Sequence, residues 1–201
     1  MSDPEDQHSQ QNALPFIDPN RPSVARIFNA MLGGKDNYQV DRDVRDRLLE
    51  RAPALGELAW DVRLFAGRVT RFLAREGRVR QFLDCAPGMP NEENTHEVAQ
   101  RESREATVVY AAKDPIVLAH GRALLAENDQ THFAEADFRD PAQVFGHPTV
   151  RRALDMTEPI AVFHMGSVQY VSDARRPKDI IAGYVDRIPS GSYVVLAHAY
   201  D

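Results

Sequence analysis

Residues 82–88 read Phe82-Leu83-Asp84-Cys85-Ala86-Pro87-Gly88. An apolar run that leads to an acid and then to a proline and a glycine is typical of a buried strand ending in a turn. Asn94 and Thr95 follow as candidate caps of a helix that begins at His96. A strand, a turn and a helix in this order predict the first half of a parallel βαβ unit.

The same alternation continues to the end of the chain. We predict strands over 81–84, 107–111, 132–136, 160–165 and 193–198, and helices near 94–101, 115–126, 141–154 (with a break) and 177–188. Strands and helices that alternate at this spacing indicate an α/β fold with a mostly parallel sheet and right-handed crossovers.

Three helices precede the first strand. The first follows Ser23 as N-cap and ends at Gly33-Gly34, the second starts at Asp41 and ends before Pro53, and the third covers 55–75. The apolar residues expected to be buried are Val44, Leu48 and Leu49 on the second helix and Leu58, Val62, Phe65, Val69, Phe72 and Leu73 on the third. We therefore divide the chain into a flexible arm (1–22), a helical cap (23–78) and a cofactor-binding domain (79–201).

Composition excludes several classes of protein. A net charge of −6 argues against a nucleic-acid binder, and no stretch reaches the roughly 18 apolar residues of a membrane span. Cys85 is the only cysteine, so neither an internal disulfide nor a multi-cysteine zinc site is available. The acidic, polar N-terminus does not resemble a secretory signal, so a cytoplasmic protein is expected.

Ligands of such sheets bind at the carboxyl ends of the strands. Asp84 suits a cationic ligand group there, and the turn at Gly88 offers backbone amides to polar or anionic groups. Asp114 after the second strand is a candidate for ribose hydroxyls, although capping the helix at Pro115 is the favoured alternative. Asp137 and Phe138 after the third strand could bind an adenine amine and its ring, or simply begin a turn.

Other motifs point away from hydrolysis. Gly166-Ser167-Val168 lacks the nucleophile-elbow pattern, and His96-Glu97 lacks the second metal-binding histidine because Gln100 stands in its place. We predict no metal site. His164 is a candidate base at the end of the fourth strand, although a buried structural histidine is the commoner interpretation. The polar loop Gly33-Gly34-Lys35-Asp36-Asn37-Tyr38 is predicted to form a lid over the pocket.

These motifs, taken in order, resemble those of one family. The matching segments are 26–29, 32–38, 71–73, 81–84, 94–100, 114–120, 136–141 and 191–193, which cover nearly everything after the arm. They resemble the actinobacterial S-adenosylmethionine-dependent methyltransferases that were once catalogued as a domain of unknown function.

The resemblance implies a Rossmann-like class I methyltransferase fold that binds S-adenosylmethionine. Methionine would lie near Asp84 to Gly88, ribose at the end of the second strand, and adenine beside Asp137 and Phe138. The helical segment, with the loop 33–38, would cap the pocket. The expected reaction is methyl transfer to an unidentified small-molecule acceptor, with His164 and Tyr38 as weak catalytic candidates.

Three departures from the family pattern weaken that expectation. Ala86 and Pro87 replace the glycine and threonine of the usual Asp-Ile-Gly-Thr-Gly turn, and Ala112 stands where the family has its ribose-binding acid. The chain also ends at Asp201, after the fifth strand, where the family pattern continues. The fifth strand is therefore expected at an exposed sheet edge that could pair with a second copy. The alternative is a non-catalytic relative with a degraded cofactor site. A dehydrogenase is disfavoured because the glycine fingerprint and its acid are both missing.

Overall fold

The computed structural model describes residues 17–124 and 128–199, so most of the predicted arm lies outside the described residues. Three helices come first: α1 (Val24–Met31), α2 (Gln39–Arg51) and α3 (Ala54–Arg75). Strands and helices then alternate as β1 (Gln81–Cys85), α4 (Thr95–Glu102), β2 (Thr107–Ala112), α5 (Pro115–Leu124), β3 (Thr131–Glu135), α6 (Pro141–Gly146), α7 (Pro148–Ala153), β4 (Ile160–Met165), α8 (Pro177–Val185) and β5 (Tyr193–Ala197). Short 3-10 helices cover Val168–Tyr170 and Asp173–Arg175.

The five strands form one parallel sheet in the order β3-β2-β1-β4-β5. In its register Phe82 lies between Val108 of β2 and Ala161 of β4. The predicted strand bounds differ from the observed ones by one residue at most, and the predicted Rossmann-like α/β fold is confirmed. Strand order reverses between β1 and β4, which opens a crevice at their carboxyl ends.

Both faces of the sheet are covered, because side chains of successive strand residues point to opposite faces. Phe82 packs in one cluster with Leu73 of α3 and with Phe163, whereas Leu83 and Cys85 pack in the cluster that contains Tyr184 of α8. The end of α3 is thus part of the core beneath the sheet. This helix links the segment predicted as a cap to the segment predicted as a cofactor-binding domain.

The predicted apolar stripe on α3 is wrong for its two phenylalanines. Phe72 is 58% exposed and Phe65 36% exposed. The buried face consists mainly of small residues, which let the helix approach its neighbours closely; they are Ala59, Ala66, Gly67, Thr70, Leu73 and Ala74. Leu48 on α2 is also exposed, and the residue that α2 buries is Asp41. Apolar periodicity located these helices and correctly predicted the burial of Leu73, but it did not identify the other buried residues of their inner faces.

A buried ion pair holds α1 to α2. Arg26 Nε lies 2.7 Å from Asp41 Oδ2, and the two side chains are 4% and 0% exposed. Asp41 also accepts hydrogen bonds from the backbone amides of Ser23 and Tyr38, at 3.0 and 2.9 Å. Burial opposes ionisation of Asp41, but the Arg26 hydrogen bond and these amides together lower its pKa. A polar network therefore fixes the start of α2 and the orientation of α1.

Within the described residues, no helix combines the length and the apolar character needed to cross a membrane.

Candidate functional site

A cleft of about 250 Å³ opens where the carboxyl ends of β1, β2, β3 and β4 meet. It is lined largely by apolar side chains, with α1 as one wall. The lining residues are Val24, Ala25, Phe28, Ala86, Pro87, Gly88, Ala111, Ala112, Lys113, Asp114, Val117, Ala136, Asp137, Phe138, Arg139, Met165, Gly166, Ser167, Tyr170 and Val171. Its position at the reversal of strand order is the usual ligand site of open α/β sheets.

The turn after β1 forms part of the cleft wall through Ala86, Pro87 and Gly88. Ala86 and Gly88 have left-handed backbone conformations, with φ of 59° and 76°. Glycine adopts this region freely, whereas a residue with a Cβ atom pays about 1–2 kcal/mol. Ala86 is held there by a 2.8 Å hydrogen bond from its amide to the carbonyl of Ala111. The turn thus keeps a glycine-type conformation although its first glycine is an alanine.

Asp84 lines a small recess beside the cleft and is not among the cleft-lining residues. Its side chain is buried, and Thr95 Oγ1 donates a 2.6 Å hydrogen bond to Asp84 Oδ2. Burial raises the pKa of Asp84 to about 6, although the Thr95 hydrogen bond and the charge of Arg63 oppose the rise. The alternation of side chains along β1 places Asp84 on the same face as Phe82.

At the end of β2, Ala112 lines the cleft and is only 3% exposed. Two residues later, Asp114 Oδ1 accepts a 3.0 Å hydrogen bond from the amide of Ile116, so the interpretation of Asp114 as a helix cap is confirmed. Asp114 Oδ2 accepts a second bond, of 2.6 Å, from Ser23 Oγ. Ser23 precedes α1 as predicted, but its side chain does not cap that helix. Instead it ties α1 to the rim of the cleft.

At the end of β3, Asp137 and Phe138 both line the cleft. Arg139 Nε donates to Asp137 Oδ1 at 2.8 Å, Arg139 Nη2 pairs with Oδ2, and Lys113 Nζ lies 3.2 Å from Oδ2. The Arg139 hydrogen bond is the main cause of a lowered pKa of Asp137, so this carboxylate stays ionised at neutral pH. The rim therefore presents a fixed hydrogen-bond acceptor beside an aromatic ring.

His164 is not among the residues that line the cleft. It is fully buried, and its ring meets the Tyr184 ring edge-on at a centroid distance of 4.6 Å. Burial lowers the pKa of His164 to about 4, so the imidazole is neutral. Its Nδ1 lies 3.4 Å from the hydroxyl of Ser167, which does line the cleft, and within the described part of the chain its Nε2 has no hydrogen-bond partner. His164 is therefore not placed to contact a ligand in the cleft.

The loop 33–38 also lies away from the cleft lining. Gly33 ends α1 with φ of 75°, and a Cβ atom on Gly34 would stand 2.3 Å from Asn29 Nδ2. Asn37 Nδ2 donates to Asn29 Oδ1 and to the Gly34 carbonyl, at 2.9 and 2.8 Å. The backbone conformation at Gly33 and the close packing at Gly34 thus explain why both positions are glycine, without a ligand. A lid role for Lys35, Asp36 and Asn37 stays a prediction.

Tyr38, the other weak catalytic candidate, stacks under the Arg26 guanidinium at 4.9 Å from the ring centroid and is 39% exposed. It does not line the cleft. Sequence reasoning missed the residues that do form the remaining walls, chiefly Phe28 and Tyr170. Phe28 lies on α1, within the helical segment that the resemblance implies as a cap of the pocket, but no feature of the sequence identified this residue as part of the lining.

Among the described residues, no group of three His, Cys, Asp or Glu side chains is arranged to hold a metal ion.

Comparison with known proteins agrees with this geometry. The family model described as S-adenosyl methyltransferase matches residues 10–201. The chain belongs to this family. The resemblance seen in the sequence is therefore confirmed, and S-adenosylmethionine is the cofactor that the family uses.

Two solved structures share the fold of this chain. One, from Thermobifida fusca YX, is provisionally described as a methyltransferase; it is 42% identical with a TM-score of 0.84, and the match covers 87% of this chain and 65% of that one. The other is a DUF574 family protein from Streptomyces avermitilis MA-4680, 37% identical with a TM-score of 0.85, over 89% of this chain and 69% of that one. The chain thus spans about two thirds of the length of each. Comparison with curated proteins gives no significant match.

Proposed function

We propose that this chain is an S-adenosylmethionine-dependent methyltransferase that binds the adenosine end of its cofactor in the cleft and methylates a small-molecule acceptor. One observation carries the proposal. The cleft brings together the turn after β1, the end of β2 and the pair Asp137–Phe138, which are the three places where the family resemblance puts the cofactor.

The adenine fits the β3 side of the cleft. Asp137 is an ionised acceptor, and the exocyclic amine of adenine can replace the exposed Lys113 ammonium at its Oδ2, while Phe138 offers an apolar surface for the ring. Ala111 and Ala136 add small apolar side chains to the lining, which leave room for a flat heterocycle.

The part of the cleft at the end of β2, where the ribose would lie, fits the cofactor less well. Ala112 cannot accept a hydrogen bond from a ribose hydroxyl through its side chain, and the neighbouring carboxylate of Asp114 is occupied by Ser23 and the amide of Ile116. A missing acceptor of this kind costs about 1.5–3 kcal/mol, or roughly tenfold or more in affinity. We therefore expect the chain to bind the cofactor more weakly than relatives that keep the acid.

When bound, the cofactor would supply a methyl group carried on a sulfonium. The C–S bond would break as the acceptor's lone pair forms the new bond to the methyl carbon, and the sulfur would be left as a neutral thioether. The protein contributes orientation and exclusion of water. On the side of α1 and β4, Phe28, Met165 and Tyr170 form an apolar wall suited to a small organic acceptor.

The described lining includes no histidine, and its carboxylates, Asp114 and Asp137, already accept hydrogen bonds from Ser23, the Ile116 amide and Arg139. We therefore propose an acceptor that is nucleophilic without a protein base.

A specific observation favours a second candidate, a non-catalytic relative that kept the fold. The strained Ala86 and the missing acid at Ala112 both affect the cofactor side of the cleft. This alternative predicts no saturable cofactor binding by well-folded protein.

Calorimetric titration with S-adenosylhomocysteine tests the proposal. We expect saturable binding by the wild type and about tenfold weaker binding by Asp137→Asn, which loses charge-assisted acceptance from the adenine amine. Asp179→Asn is the matched control, because it removes a surface ion pair with Arg176 (2.8 Å) on α8, outside the cleft lining. Absence of binding by folded wild type would reject the proposal; equal weakening by both variants would reject the placement of adenine.

Two further expectations stay predictions. They are a cytoplasmic location, which cell fractionation would test, and pairing of two copies through the edge strand β5, which analytical ultracentrifugation would test.

A further inference from the structure

The end of β2 combines a missing acid with nearby positive charge. Ala112 lines the cleft there without a carboxylate, and two cations, Lys113 and Arg139, belong to the same lining. In dinucleotide-binding sheets an acid at this strand end accepts the ribose hydroxyls, whereas a cation beside a strand end without the acid accommodates a phosphate on the ribose. The residue types at the end of β2 match the second arrangement.

Asp137 binds more positive charge than it neutralises. Its Oδ2 accepts a hydrogen bond from Lys113 Nζ at 3.2 Å and also pairs with Arg139 Nη2, while its Oδ1 accepts from Arg139 Nε at 2.8 Å. Within residues 17–124 and 128–199, neither cation has a second ion-pair partner. The other carboxylate of the lining, Asp114, accepts its hydrogen bonds from uncharged donors. Two cations thus share one carboxylate at this side of the cleft.

Lys113 is the cation that a ligand can recruit. Its side chain is 68% exposed and makes one contact with Asp137, whereas Arg139 is 33% exposed and binds both carboxylate oxygens. If an adenine amine takes the place of Lys113 at Asp137 Oδ2, the ammonium loses its anion while its backbone stays next to Ala112. A flexible ammonium can turn to a new anion close by. A phosphate on the ribose supplies that anion, with about two negative charges and several acceptor oxygens.

We infer that the end of β2 is a phosphate subsite whose main ligand-binding group is Lys113, and that the cleft binds adenosine nucleotides phosphorylated at the 2′ or 3′ hydroxyl in competition with the cofactor. This inference rests on the adenine position of the proposed function and goes beyond it, because S-adenosylmethionine carries no phosphate. Ala112 is part of the subsite, since it leaves space and removes the carboxylate that would repel a phosphate.

Calorimetric titration of the full chain tests the subsite with adenosine and its 2′-, 3′- and 5′-monophosphates. The 5′ isomer has the same charge but carries it at the opposite end of the ribose. The variants are Lys113→Met, which keeps an unbranched side chain without the charge, and Lys178→Met, the matched control at an exposed position of α8 outside the cleft lining. Thermal unfolding of each variant verifies that it is folded.

We expect wild type and Lys178→Met to bind the 2′ or the 3′ isomer about tenfold more tightly than adenosine. In Lys113→Met this ratio should fall below about twofold, while adenosine binds at least as tightly as to wild type because no ammonium competes for Asp137. A wild type without the preference, or a preference that persists in Lys113→Met, rejects the subsite. An equal fall in the ratio for the 5′ isomer also rejects it, because the attraction would then be independent of position.

Ala112→Asp tests the same subsite by reversing its charge. A carboxylate here should weaken the preferred nucleotide about tenfold while it tightens S-adenosylhomocysteine. A change in the same direction for both ligands rejects the subsite. If wild type binds S-adenosylhomocysteine but shows no preference among the nucleotides, the subsite is rejected and the proposed function stands. If folded wild type does not bind S-adenosylhomocysteine, the proposed function is rejected, and the nucleotide ratios still decide the subsite.

Discussion

Replacing Asp84 with asparagine should make the protein more stable at neutral pH. The folded-state pKa of Asp84 is about 6, raised by burial from an ordinary value of 3.8. Between these two values the folded chain holds a proton that the unfolded chain has released, so stability falls as the pH rises through that window. By pH 8 the loss amounts to about 3 kcal/mol. Asparagine is uncharged at every pH and its amide oxygen can still accept the Thr95 hydrogen bond, so the variant avoids this loss.

Urea unfolding of wild type and Asp84→Asn from pH 4 to pH 8 measures the effect, because the titration of all other groups cancels in the difference. We expect the variant to gain about 3 kcal/mol over wild type at pH 8 and nothing near pH 4. Asp61→Asn, on the exposed face of α3, is the matched control for replacing an aspartate. A difference that does not change with pH, or a wild type that is the more stable protein at pH 8, would refute the reasoning.

Three further substitutions test other parts of the account. Ala86→Gly should raise the stability measured by thermal unfolding by about 0.5–1 kcal/mol, since relief of a left-handed alanine outweighs the entropy of an added glycine; a less stable variant would contradict the strain at this turn. Ala112→Asp should tighten S-adenosylhomocysteine binding about tenfold in calorimetry, and an unchanged affinity would show that this position does not face the ribose. Asp41→Asn should cost about 3–5 kcal/mol in urea unfolding because it leaves Arg26 buried without its partner. Asp46→Asn, which removes a surface pair of 2.6 Å, should cost at most about 1 kcal/mol, and equal losses would argue against the buried pair.

The parallel sheet was predictable because its signal is local. Each buried strand is a short apolar run, and Gly, Pro or Asp residues separate it from the next helix. The residue types along the sequence therefore mark where each strand ends. The position of the cleft followed from the same pattern, since carboxyl ends of parallel strands share one edge of the sheet.

The side-chain environment of individual site residues was not predictable in the same way. Asp84 was placed at the correct end of β1, but the sequence did not indicate that it faces a recess with Arg63, which is 21 positions earlier and belongs to helix α3. The Ser23–Asp114 hydrogen bond spans 91 positions and has no local signature. Long-range polar pairs of this kind depend on how helices pack, which periodicity does not specify.

The loop 33–38 shows that the role of a glycine is ambiguous in a single sequence. Two consecutive glycines suggested a lid, but one ends α1 and the other makes room for Asn29. A glycine needed for close packing and a glycine needed for movement look identical in a single sequence.

The most direct test of the cofactor cleft is methyl NMR of the protein labelled at its five methionines. Met165 lines the cleft, Met89 lines the recess and the exposed Met156 lies in neither. On titration with S-adenosylhomocysteine, we predict saturable shifts of the Met165 and Met89 methyl signals with one common dissociation constant, and no shift at Met156. The absence of saturable shifts at Met165 in folded protein, or a response confined to Met156, would contradict the binding of the cofactor in this cleft.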